Sequence, residues 1–174
     1  MLCSFDGKTP RIGSETYVSH TALVVGDVTI GDNCYIGHGA ILRGDYGTIQ
    51  IGNGTAVEEG VIIHAPPNEA CVIADKVTIG HGAIVHCKSI GSYALIGMGA
   101  ILSLYSEIAE ETVIAEGSVV RRGQKIPRGV IAGGNPAEVI RHASAQDKAW
   151  WEGAKQLYID LARKYLAGGM REIN

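Results

Sequence analysis

The chain has 174 residues, about one domain's length, and its 46% apolar and 19% charged content suits a well-cored protein. A net charge of −3 without any Lys/Arg-rich run argues against a nucleic-acid or membrane surface. No stretch stays apolar for the ~18 residues a membrane span needs.

Met1-Leu2-Cys3-Ser4-Phe5-Asp6 has no basic region followed by an apolar stretch, so the expected address is the cytosol. Cys3, Cys34, Cys71 and Cys87 show no C-x-x-C spacing and are expected to be small buried hydrophobes. Glycine stands out: 24 residues, about twice the usual ~7%, imply many tight corners.

An aliphatic residue recurs at every sixth position, often followed by Gly. The series runs Ile12, Val18, Val24, Ile30, Ile36, Leu42, then, after a short insertion, Ile51, Val57, Ile63. A second insertion carries Pro66-Pro67 and precedes Ile73, Ile79 and Val85. After one skipped residue it ends with Ile90, Ile96, Leu102, Ile108, Ile114, Val120 and Ile126. A period of six fits neither 3.6 nor simple alternation. It predicts a triangular coil of three short strands per turn, with the aliphatics stacked inward and the following Gly or small polar residue easing each corner.

Gly133-Gly134-Asn135-Pro136-Ala137 breaks the series, and a helix is expected next. Ser144 and Asp147 form a candidate capping pair. Trp151, Ala154, Leu157, Tyr158, Leu161 and Tyr165 fall near helical spacing, and Gly168-Gly169 ends the segment. The expected organisation is an all-β helix over 1–132 and an exit segment with a C-terminal helix over 133–174, packed on a barrel face or on a neighbouring subunit.

Every third hexad shares a face, so Arg43, His64 and His86, each following its inward aliphatic, form one column. Coils are ~4.8 Å apart, which lets His64 and His86 reach one ion. His81 lies on the preceding face. It could join them only around a corner or from another molecule, as when three barrels pack about a threefold axis. Three neutral imidazoles with an open fourth position are a catalytic zinc arrangement. His20, His38 and His142 lack such partners and are expected to be structural or exposed.

Val77-Thr78-Ile79-Gly80-His81-Gly82-Ala83-Ile84-Val85-His86, with Arg43-Gly44-Asp45, Val61-Ile62-Ile63-His64 and Gly134-Asn135-Pro136-Ala137, resembles the gamma-class carbonic anhydrase family over essentially the whole chain. The resemblance implies a left-handed parallel β-helix that forms a homotrimer, metal ligands at His64, His81 and His86, and an Arg43/Asp45 pair for subunit contact and site arrangement. It also implies a tail tyrosine, Tyr158, near the metal, and carbon dioxide and bicarbonate as substrates. Zinc is the expected metal, and ferrous iron and cobalt accept the same imidazoles.

The chain departs from the family around Thr55-Ala56-Val57-Glu58-Glu59. Glu58 replaces a water-orienting Gln, Glu59 replaces an Asp and could pair with Arg43, and Ala56 removes an amide. Tyr46-Gly47 and Ala65-Pro66-Pro67 supply no evident proton shuttle, and Cys87 stands where Gly is usual. The alternatives are a coenzyme A thioester hydrolase or acyltransferase, and a non-catalytic metal-binding relative.

Overall fold

The computed structural model describes residues 1–171 and 173. Parallel strands wind into a three-faced β-helix closed by one helix. On the first face, Ile62–His64, Ile84–Val85, Ile101–Leu102 and Val119–Val120 stack in register, continuing the starts of Leu23–Ile30 and Ile41–Ile51. The later halves of those two long strands turn the corner and found the second face. There they pair with Arg11–Ile12 and Ala70–Ile73, and Ser89–Ile90, Glu107–Ile108 and Lys125–Ile126 follow. Tyr17–Val18, Tyr35–Ile36, Ala56–Val57, Thr78–Ile79, Leu95–Ile96, Val113–Ile114 and Val130–Gly133 make the third face, a separate sheet.

The period of six is what this backbone demands. Every aliphatic of the series from Val24 to Ile126 is buried in one continuous core, and Ile12 and Val18 pack against its open end. Each buried Leu, Ile or Val contributes roughly 1.5–3 kcal/mol. Cys34, Cys71 and Cys87 are buried among them, while Cys3 is half-buried on the first strand. The short insertion after Leu42 is absorbed within the strand Ile41–Ile51, with a register shift opposite Gly26/Val28.

The glycines work differently from the expectation. Gly80, directly after Ile79, is needed for close approach, because a Cβ there would stand 2.8 Å from the Met98 nitrogen of the next coil. The corner itself turns at Gly82, whose φ of +69° suits glycine. His81 is held between the two.

An antiparallel strand, Glu138–His142, folds back on Val130–Gly133 before the helix begins, an element outside the period of six. The helix, Ala145–Leu166, starts with the expected capping box between Ser144 and Asp147. It packs on the third face against Tyr17–Val18, Tyr35–Ile36 and Ala56–Val57. Its inner stripe is Trp151, Lys155, Tyr158, Ala162 and Tyr165. Leu157 lies off that stripe and is 68% exposed, so its expected place on the packed face is corrected. No helix among the described residues is long and apolar enough to cross a membrane.

Candidate metal centre

The first cluster stands on the outer side of the first face. Arg43 pairs in register with His64, and His86 follows Val85, which pairs with Ile63. Side chains at successive coils therefore stack, as the hexads require. His64 Nδ1 lies 3.1 Å from His86 Nε2, with ring centroids 4.8 Å apart. Asp45 joins them: Oδ2 accepts from the Arg43 guanidinium at 3.1 Å, and Oδ1 lies 3.5 Å from His64 Nε2.

Burial, and then the Arg43 guanidinium, hold His64 below the ordinary imidazole pKa, with Asp45 opposing. Burial, then His64 and Arg43, do the same to His86. Both rings are thus biased toward the neutral form that metals require. His64 Nε2, the ring's other nitrogen, is buried with no hydrogen-bond partner, and Asp45 Oδ1 stands off at 3.5 Å. A tetrahedral ion with ~2.0–2.1 Å bonds to nitrogen spaces its ligand atoms about 3.3 Å apart. The 3.1 Å between His64 Nδ1 and His86 Nε2 is close to that span, so these two rings fit two of the ligand positions of a metal.

The second cluster lies at the corner between the third and first faces. The His81 turn follows Thr78–Ile79, and Glu58 follows Ala56–Val57 one coil away. Glu58 is buried, and its Oε2 lies 3.1 Å from both the His81 backbone nitrogen and Nε2. Glu59 Oε2 lies 2.8 Å from His81 Nδ1, and its Oε1 accepts from the Tyr35 hydroxyl at 2.6 Å. Gly37 makes room for this, since a Cβ there would meet Glu59 Oε1 at 2.7 Å.

Within one chain Glu59 serves His81 and Tyr35 rather than Arg43, so the expected Arg43 network includes it only across a subunit contact. Burial alone would raise the Glu59 pKa, but the Tyr35 hydrogen bond and the imidazoles of His81 and His38 hold it low. Tyr158 leans on the Tyr35 ring at 5.4 Å, and its hydroxyl is pushed up by burial and then by Glu58.

Tyr35 is the participant that sequence reasoning missed. Its signal was the outward column Tyr17, Tyr35, Ala56, whose two rings and one small residue make the seat for the helix. His38 bonds to Ser19 Oγ at 2.6 Å and Tyr165 Oη at 3.3 Å, whereas His20 and His142 are exposed.

The clusters flank the first face, one at each corner, with half-exposed Ile62, Ile84 and Ile101 forming an apolar ladder between them. Among the described residues of one chain, no three His, Cys, Asp or Glu side chains are grouped to hold a metal.

A family signature described as bacterial transferase hexapeptide (six repeats) matches residues 9–44. The chain is 37% identical to a carbonic anhydrase of Geobacillus kaustophilus, covering 96% of this chain and 92% of that one. It is 32% identical to the mitochondrial gamma carbonic anhydrase 1 of Arabidopsis thaliana over 96% of its length, but spans only 63% of that longer protein. The crystal structure of a hexapeptide transferase family protein from Anaplasma phagocytophilum superposes with a TM-score of 0.90, at 32% identity, covering 95% of this chain and 98% of that one. Near-full-length identity at this level, on the same coiled scaffold, makes the chain a member of the gamma-class carbonic anhydrase-like family of hexapeptide-repeat proteins.

Proposed function

We propose that the protein hydrates carbon dioxide to bicarbonate at a metal shared between subunits of a homotrimer. His64 and His86 of one chain and His81 of the next would hold the ion. The observation that carries this reading is the pair of imidazole nitrogens, His64 Nδ1 and His86 Nε2, 3.1 Å apart, with His81 displaced to the other corner. Burying the Ile62/Ile84/Ile101 ladder between chains would bring the two corners of neighbouring barrels together. Zinc, or ferrous iron or cobalt in its place, would supply a Lewis acid that makes water nucleophilic near pH 7.

The chain's own groups then have distinct tasks. Glu59, anchored by Tyr35, fixes the His81 ring through Nδ1, the outer-shell arrangement that orients a ligating imidazole. Glu58 points its carboxylate to the Nε2 side, where it orients the attacking water or takes its proton. Tyr158 stands beside Glu58 and, with its pKa raised by burial and by that carboxylate, stays a hydrogen-bond donor. Asp45 holds Arg43 beside His64. The four free thiols suit the reducing cytosol as the place of action.

Stopped-flow hydration by protein reconstituted with zinc, and anaerobically with iron, tests the reading. A catalysed rate above buffer that vanishes on chelation is expected. Metal-loaded protein without acceleration overturns it. The likeness to a transferase favours acyl transfer from a coenzyme A ester as the second reading, and thioester cleavage by the same preparation would select it.

Arg43 is half-exposed in the single chain, beside the face that the trimer would bury. Removing one partner of a buried charge pair costs ~3–5 kcal/mol. Arg43→Ala should therefore weaken the trimer as well as the activity, and sedimentation against concentration would show it. An unchanged dissociation profile would make Arg43 a solvated charge.

A further inference from the structure

The helix that carries Tyr158 also inserts an amine that the metal chemistry does not use. Lys155 lies on the buried stripe between Trp151 and Tyr158 and is only 5% exposed. Its Nζ donates to the main-chain carbonyl of Ala94 at 3.1 Å. Among the described residues it forms no ion pair, although lysines this deeply buried ordinarily have a carboxylate partner. Burial without that partner favours the uncharged amine and holds its pKa down to about 8.

Lys155 lines a cavity of about 100 Å³ between the helix and the corner at Tyr93, with room for a triatomic ligand. The charged groups facing it are Lys148, Glu111 and Glu152, with Lys76 in the adjoining cleft. Glu111 is already held by Lys148 and by Arg128. Around an uncharged Lys155, Lys148 and Lys76 thus balance Glu111 and Glu152, and Lys148 is the cation lining the cavity that a carboxylate on Nζ would meet.

We propose that Lys155 is a carbon dioxide acceptor that forms a carbamate. The Nζ lone pair attacks the carbon, one C=O pair moves onto oxygen, and an Nζ–H proton leaves to solvent. Amine and carbon dioxide become a carbamate anion and one proton, and no metal, cofactor or redox partner takes part. The carboxylate so formed can take hydrogen bonds from the Lys148 side of the cavity while the remaining N–H keeps the Ala94 carbonyl. The site lies one helical turn from Tyr158, on the element that reaches Glu58, and it needs none of the three histidines.

The test uses the whole protein, with and without metal, equilibrated with 13C-bicarbonate and carbon dioxide near pH 7.5. A trialkyloxonium salt then fixes carbamates as their esters, and the peptides are read by mass spectrometry. An ordinary lysine titrates near 10.5, so its uncharged fraction at that pH is on the order of a hundredfold smaller. The expected result is a labelled ester at Lys155, at least tenfold above any exposed lysine, lost in urea and indifferent to metal removal. Lys155→Arg should abolish it. In case that variant does not fold, a carbamate 13C resonance from native wild-type protein provides the independent measurement. No ester at Lys155, or one no more abundant than at exposed lysines, overturns the proposal whatever the hydration rate proves to be.

Discussion

His81→Ala is expected to abolish metal binding while leaving the barrel intact. The side chain is 47% exposed in a corner turn, and no core contact depends on it. Its loss removes one of three proposed ligands, and even outer-shell partners of a metal change affinity by 10–100-fold, so the loss here should exceed about a hundredfold. His64→Ala should do the same from the other cluster. The two variants complement each other if the site is shared. In a cyclic trimer of both, each mixed assembly has one junction where intact His64 and His86 meet an intact His81 of the next chain. Random one-to-one mixing makes about three quarters of trimers mixed, so roughly one quarter of the wild-type metal should return. Metal titration of co-refolded protein, with assembly checked by native mass, reads this directly. Mixed trimers that bind nothing would end the shared-site reading, and either variant binding fully on its own would do so sooner.

That experiment has a basis because the register was legible in the sequence. Inward aliphatics at a fixed spacing leave the backbone no choice of which residues stack, so Arg43, His64 and His86 had to share a column, and they do. The same arithmetic put His81 on another face. What the period could not carry is the direction of long side chains at corners. Within one chain, the Glu59 carboxylate, one methylene longer than that of Asp, reaches the His81 ring and the Tyr35 hydroxyl one coil away instead of Arg43. The partner that captured it was hidden because Tyr35 reads as an ordinary strand residue until the helix covers it.

The tail was legible at its start and less so beyond. Ser144 and Asp147 announce a helix by chemistry local to four residues, and the capping box is present. Which stripe faces the barrel is a tertiary matter: it includes Lys155, which no apolar pattern selects, and leaves Leu157 in solvent. Likewise Glu138–His142 is exposed along its whole length, so no hydrophobic alternation marks it as a strand.

Glu58→Gln is expected to separate two roles that a single carboxylate could play. Glu58 is buried and stands 3.1 Å from His81 Nε2, close enough to touch a water activated beside that ring. A carboxylate there can accept a proton, which an amide cannot. Its negative charge also opposes ionisation of the water, because a nearby like charge disfavours the anionic form. If the charge effect dominates, wild-type hydration has an alkaline optimum. The amide then moves the rising limb of the pH–rate profile toward acid, with the maximal rate kept. If proton acceptance dominates, the rate falls by the 10²–10⁴-fold typical of a lost general base, and the profile stays where it was. The substitution is nearly isosteric, so the barrel and Glu59–His81 contact should survive, and metal content measured alongside confirms it. Buffer distinguishes the cases further, since a small external base can replace a missing proton acceptor but cannot undo a shift caused by charge. A variant equal to wild type in rate, profile and buffer response would remove Glu58 from the chemistry. The corner that holds His81 would then be a metal mount alone, and the balance would move to a protein that binds the ion without hydrating carbon dioxide.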